Sequence, residues 1–143
     1  MNTDSWFAGF VDGEGSFFIR RVGQERHWPA FGIQLTAADT DVLRKIQEAF
    51  GGSLGYRRPV RSQLRHSPGQ KACMNLQIGS VQDMLKLVHY FDRFPLRSKK
   101  AVDYSIWREA VLFLARPETS SRGSLLRDLK ARLTILRTQP EAQ

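Results

Sequence analysis

The apolar positions of this chain change period repeatedly along its length. Residues 6–12 read as a short helix, with Asp4 or Ser5 as N-cap and Gly13 as terminator. Residues 16–22 (SFFIRRV) are rich in β-formers. In 30–36 the alternation is strict: Phe31, Ile33 and Leu35 fall on one face, and Gly32, Gln34 and Thr36 on the other. A helical period follows over 40–50, with Val42, Leu43, Ile46, Ala49 and Phe50 on one side and Gly51-Gly52 ending it. Two further strands are expected at about 53–61 and 71–78, joined by a polar loop around Ser67-Pro68-Gly69. In the second, Ala72, Met74, Leu76 and Ile78 alternate with Lys71, Cys73, Asn75 and Gln77. Ser80 to Asp83 has the spacing of a capping box opening a helix through Phe91. Beyond Pro95, helices are expected at about 98–115 and over the stretch carrying Leu125, Leu126, Leu129, Leu133 and Leu136.

The predicted order is α-ββ-α-ββ-α-α-α, in which the ββα unit repeats. Strands that pair as neighbouring hairpins give an antiparallel α+β sheet of four strands with C-terminal helices. Alternation on the strands buries one sheet face under helices and leaves the other polar and arginine-rich. Residues 1–138 are expected to form one domain and 139–143 a disordered tail.

Composition narrows the function. The 143 residues are 41% hydrophobic, enough for a core, and the longest apolar run, Ala110–Ala115, is far too short to span a membrane. The first 15 residues carry three acids and no base, unlike a signal or transit peptide. A single cysteine, Cys73, excludes a disulfide framework and points to a reducing compartment. Lys and Arg number 22 against 14 Asp and Glu, for a net charge of +8, and most of the cations are arginine. The charge is segregated. No acid occurs from Ala49 to Gln82, a window that holds Arg57, Arg58, Arg61, Arg65 and Lys71. A second basic cluster comprises Arg93, Arg97, Lys99 and Lys100. An acid-free, arginine-bearing sheet face suits nucleic acid.

The segment Phe7-Ala8-Gly9-Phe10-Val11-Asp12-Gly13-Glu14-Gly15 is the most specific feature. Ser5, Gly9 and Gly13 recur every four residues with Ala8 beside them, a smooth stripe along which two helices can approach closely. Each glycine weakens a helix by about 1 kcal/mol relative to alanine, so close packing or a special turn must offset it. Asp12 and Glu14 stand at the C-terminal, electronegative end of this helix and call for a cation, either an Arg or Lys partner or a divalent metal.

This stretch resembles the motif helix of LAGLIDADG homing endonucleases. The order of elements after it is similar to the family's, and so is the block from Phe94 to Trp107 (FPLRSKKAVDYSIW), so the resemblance spans about residues 5–115. It implies the LAGLIDADG fold, αββαββα with a four-stranded saddle-shaped antiparallel sheet. It implies that Glu14, with Gly13, binds divalent metal (Mg²⁺ or Mn²⁺), and that Asp12 is more structural. Lys99, Lys100 or Arg97 would match the family's basic active-site position. Where many relatives carry a water-orienting Gln, this chain has Ala37, with Gln34 the nearest amide.

Only one such motif occurs, and one Glu14 cannot serve two strands. The resemblance therefore implies a homodimer with Ser5, Ala8, Gly9, Asp12 and Gly13 at the interface. The stripe packing within one chain is the monomeric alternative. Each protomer would read one half of a long pseudo-palindromic duplex through Arg20, Gln34, Thr36, Arg57, Arg61, Cys73, Asn75 and Gln77, with Arg58 and Arg65 on phosphates and Lys71 also on the DNA. The expected activity is metal-dependent, double-strand DNA cleavage by a site-specific endonuclease of intron homing, with no membrane and no small-molecule cofactor. The location would be a bacterial cytoplasm or nucleoid, or an organelle, not outside the cell. The alternatives are a non-cleaving DNA-binding regulator or RNA maturase on the same scaffold, or a basic structural RNA-binding protein.

Overall fold

In the computed structural model, residues 5–59, 69, 71–116 and 122–138 are described. The elements are α1 (Ser5–Glu14), β1 (Gly15–Val22), β2 (Arg26–Thr36), a 3₁₀ turn (Ala37–Asp39), α2 (Thr40–Phe50), β3 (Ser53–Arg57), β4 (Cys73–Ile78), α3 (Val81–Arg93), α4 (Lys100–Leu114) and α5 (Arg122–Thr138). The sheet order is β1-β2-β4-β3, and every pairing is antiparallel. The architecture is α+β, as the sequence pattern requires.

Three boundaries differ from expectation. Gly13 does not end α1, which continues to Glu14 and passes directly into β1. The glycine that this junction requires is Gly15, where an added Cβ would lie 2.6 Å from Val11 Cγ1. β2 begins at Arg26 rather than 30, because Arg20, Arg21 and Val22 pair with Trp28, His27 and Arg26 in a hairpin. Pro29, a poor strand residue in the middle of a sheet, is tolerated because it lies beyond the end of β4. β3 ends at Arg57, and residues 60–68, with Arg61 and Arg65, lie outside the described residues, as do 139–143. Other signals hold as read. Gly51 and Gly52, at φ +84° and +94°, terminate α2, and the Ser80 side chain accepts a hydrogen bond from the Asp83 N–H.

Helices α1 to α4 cover one sheet face around an aromatic core. The Phe17 ring lies 5.1 to 5.6 Å from those of Phe31, Phe91, Tyr104 and Trp107. Buried polar groups are matched there: Trp107 Nε1 donates to the Ala30 carbonyl at 2.9 Å, and the Ala8 N–H donates to the Tyr90 hydroxyl at 3.0 Å. A second cluster, of Ile19, Ile106, Ala110, Leu114, Leu126, Leu129 and Leu133, seals α5 against α4 and the β1–β2 hairpin.

Candidate active site and nucleic-acid face

The open sheet face follows from register. Side chains alternate along each strand, so the residues opposite the core share one surface. They include Ser16, Phe18 and Arg20 on β1, Arg26, Gly32, Gln34 and Thr36 on β2, Ser53, Gly55 and Arg57 on β3, and Cys73, Asn75 and Gln77 on β4, while Trp28 packs against the second cluster. No acid is among them. Cross-strand rows form: Gln34 pairs with Asn75 and Asn75 with Gly55, while Thr36 pairs with Cys73 and Cys73 with Arg57. All seven strand residues expected there and described lie on this face. Arg20, Gln34, Thr36, Arg57 and Gln77 are exposed, and Cys73 and Asn75 are half-buried. Arg58 and Lys71 are exposed beyond the strand ends, with the Arg58 guanidinium 5.9 Å from the Tyr56 ring. Ser16 and Arg26 also belong to the face. Parity with Arg20 locates Ser16 from sequence, whereas Arg26 needed the longer β2.

Glu14 is the last residue of α1 and is exposed. Gly15 pairs with Ile33, which brings Gln34, next along β2, to the same end of the sheet. The loop before α4 is fastened to this point by Asp12. Its carboxylate accepts from the backbone N–H of Arg97 at 3.1 Å, and from the Ser98 N–H at 3.0 Å and hydroxyl at 2.6 Å. The Ser98 hydroxyl in turn accepts from the Lys100 N–H at 3.2 Å, opening α4. Lys100 Nζ donates to the Val11 carbonyl at 3.2 Å. The electronegative end of α1 thus meets the electropositive start of α4. Partial burial would raise the Asp12 pKa, but the Ser98 and Arg97 hydrogen bonds and the Lys100 charge outweigh it and hold the carboxyl below its ordinary value.

The cation that two carboxylates at this helix end demanded is therefore, for Asp12, the N–H groups opening α4. Its oxygens are occupied by those donors, whereas Glu14 stands beside them with its carboxylate turned to solvent. Arg97, Lys99 and Lys100 are all brought to this end of α1. Arg97 and Lys99 are exposed, and Lys100 is half-buried.

The outer side of α1 is smooth. Ser5, Gly9 and Gly13 are exposed, and an added Cβ at Gly9 or Gly13 would meet nothing within 4 Å. Ala8 is 5% exposed and lines a groove of about 530 Å³ with Ser5, Gly9, Asp12, Phe94 and Arg97. Trp6 does not pack into the core. It is 51% exposed and stacks on Phe10 at 5.2 Å. Among the described residues no three His, Cys, Asp or Glu gather closely enough to hold a metal ion, and no helix is long and apolar enough to cross a membrane. At this end of α1, among the described residues, the hard oxygen donors of the type Mg²⁺ takes are the Glu14 carboxylate and the Gly13 carbonyl, with Asp12 already engaged.

Comparison with known proteins places these features together. The chain is 28% identical over 118 residues to a probable intron-encoded endonuclease 3 of Neurospora crassa, an alignment covering 78% of this chain and 20% of that protein. It is 29% identical over 90 residues to the intron-encoded RNA maturase bI4 of Saccharomyces cerevisiae, covering 61% and 14%. It thus spans a fifth or less of the length of these curated relatives. Among solved structures, the homing endonuclease I-TnaI superposes with a TM-score of 0.69 at 23% identity, over 99% of this chain and 89% of that one. The meganuclease I-AabMI, bound to uncleaved DNA, gives 0.72 at 23%, over 93% of this chain but 45% of that one. The match covers most of I-TnaI and less than half of I-AabMI, whose chain is about twice as long. A family model described as LAGLIDADG endonuclease matches residues 7–111, and the segment Phe7–Gly15, both strand pairs and the basic block all fall inside that span. The chain therefore belongs to the LAGLIDADG endonuclease family.

Proposed function

We propose that this protein is a homodimeric, divalent-metal-dependent endonuclease that cuts both strands of a long pseudo-palindromic DNA site. The observation that carries this reading is the exposed Glu14 at one end of an acid-free polar sheet face, beside a basic loop that Asp12 fixes in place. Two copies joined along the Ser5-Gly9-Gly13 side of α1 would bring two Glu14 carboxylates together. That supplies the second acidic ligand one chain lacks. Bound Mg²⁺ or Mn²⁺ would polarise the scissile phosphate and lower the pKa of attacking water. Glu14, with the Gly13 carbonyl, would hold the ion. Arg97, Lys99 or Lys100 would balance charge developing on the phosphate. Arg20, Gln34, Thr36, Arg57, Asn75 and Gln77 would read base edges in the major groove, with Cys73 among them, and Arg58 and Lys71 would take phosphates. Arg61, on base edges, and Arg65, on phosphates, are part of this proposal. The relatives' intron-encoded names suit a protein that mobilises its own intron.

Selection of cleaved ends from a randomised duplex library with Mg²⁺ tests the reading. Enrichment of one two-fold-related sequence, lost in Glu14→Gln, is expected. A monomer on DNA would overturn it. The second reading, a binding protein or RNA maturase without cleavage, is favoured by Ala37, which stands in the usual Gln position and opens the 3₁₀ turn with its N–H on the Ala72 carbonyl. On that reading a bound motif is enriched without cleavage and Glu14→Gln changes nothing.

A further inference from the structure

The proposed readers of base edges are polar residues and Cys73, yet a large apolar side chain, Phe18, stands among them on the open sheet face. Two observations fix its side. Its chain neighbours Phe17 and Ile19 are buried on the helix-covered side, 1% and 5% exposed, so Phe18 points the other way. Its ring also leans across β2 onto Gly32, where an added Cβ would lie 3.3 Å from Phe18 Cε1 and 3.9 Å from Cζ. Gly32 sits between the buried Phe31 and Ile33 and so faces the same open side. A side chain at Gly32 would crowd the ring, and the glycine gives it a seat against the backbone. The cross-strand partner of Phe18, Ala30, is likewise small. Phe18 is half-buried. What remains exposed is an apolar spot in a polar face, between Gln34 toward the Glu14 end and Arg20 toward the hairpin turn.

We propose that Phe18 is a specificity-determining residue whose ring receives the C5-methyl group of a thymine at one fixed place in each half-site. In the major groove thymine is the base that presents an apolar group, and apolar side chains take it. A phenyl ring forms no hydrogen bond with a base edge. Set against guanine, adenine or cytosine, it strips water from donors or acceptors and returns nothing, which weakens binding. Against the methyl group, two apolar surfaces leave water together. Because the Gly32 seat holds the ring in one place, the preference falls on one base position. This role rests on the proposed reading of duplex DNA by the sheet face, and it needs neither Glu14 nor cleavage.

Duplexes bound by the full chain without divalent metal are selected from a randomised library. Each thymine of the selected half-site is then replaced in turn by deoxyuridine, which removes only the methyl group. One thymine, present in both half-sites, is expected to lose about fourfold in affinity per half-site on replacement, the worth of one buried methyl group. Phe18→Ala and Phe18→Gln should bind the thymine and uracil sites alike. The second variant keeps an aliphatic stem over Gly32, so the test stands if Phe18→Ala does not fold. Loss of cover over Gly32 alone would weaken both sites equally, so the ratio of the two affinities is what a merely structural role does not move. Three results overturn the role of Phe18 and leave duplex reading intact. They are a half-site without thymine, uracil tolerated at every position (as stacking on an unpaired base would allow), and a methyl preference that survives both substitutions. If no duplex sequence is selected at all, the reading of the face falls and the role of Phe18 falls with it.

Discussion

Helices α1 and α5 both reach the sheet through apolar side chains, but their outer faces are unlike. In α5, Leu126, Leu129 and Leu133 point inward, while Arg127, Asp128 and Arg132 face water. Its far side is mostly charged, with Arg132 bound to Glu109 at 3.2 Å, and exposes Ile135 and Leu136 only in its last turn. In α1, Phe7 and Val11 are fully buried, but the outer side shows Ser5, Gly9 and Gly13 beside a half-exposed Trp6. The small residues leave that surface little side chain to cover it, and its charge comes only from the groove's edge, at Asp12, Arg93 and Arg97. A helix with polar groups outside is finished by water. A helix with glycine and tryptophan outside is finished by another surface, and this contrast is what makes α1 the candidate interface.

The comparison breaks first at Glu14. Glu14→Gln removes the one free carboxylate at the α1 end, and cleavage should fall by about a thousandfold or more, about 4 kcal/mol of barrier, measured as single-turnover rate. Folding should be unchanged, because nothing in the core touches this side chain. The opposite pattern is expected at α5. Leu129 is 1% exposed, so Leu129→Ala should cost about 3 kcal/mol by denaturant unfolding and leave cleavage per folded molecule near normal. A cleavage loss without unfolding at Leu129 would erase the division between the two helices.

Asp12 sharpens the division within α1 itself. Asp12→Ala should destabilise the fold by about 1–2 kcal/mol, since it frees the N–H groups of Arg97 and Ser98. It should also loosen the basic loop and so reduce cleavage. The Asp12 carboxyl is held below its ordinary value of 3.8 by Ser98, Arg97 and Lys100. Its contribution is therefore full above that value and is lost as pH falls through the lower folded pKa. Acid unfolding of Asp12→Ala should show a shallower decline below about pH 4 than the parent protein, read by circular dichroism.

How much of this was legible depends on what each residue answers to. The helix order and the sheet faces were readable because burial imposes period 2 or 3.6 on Phe31, Ile33, Leu76 and Leu129 directly. The capping glycines of α2 were readable because a left-handed backbone selects glycine. The start of β2 was not, since Arg26, His27 and Pro29 carry no strand signal and are strand only because β1 pairs with them. At the site, the chemical types at Asp12 and Glu14 were visible in the sequence. That Asp12 spends its charge on the start of α4, 85 residues away, is a long-range contact no local pattern encodes. His27 carries no local signal of its buried, unpartnered Nδ1, which depends on what surrounds it in space. The outer position of Trp6 has no local signal either.

The smallest expected effect is the most discriminating, because its two parts have opposite signs. Gly9 lies in the middle of α1, outside the left-handed region, and a Cβ there meets nothing in the single chain. Gly9→Ala should therefore stabilise the isolated fold by about 0.5–1 kcal/mol through helix propensity alone. If the outer face of α1 is where two copies meet, the same methyl group holds the helices apart and weakens self-association. Melting at low protein concentration and sedimentation at high concentration separate the two. Higher melting with weaker association fits an interface built on small residues. Higher melting with association unchanged would mean that this face of α1 meets only water, and the symmetry that brings two Glu14 carboxylates together would have to come from elsewhere.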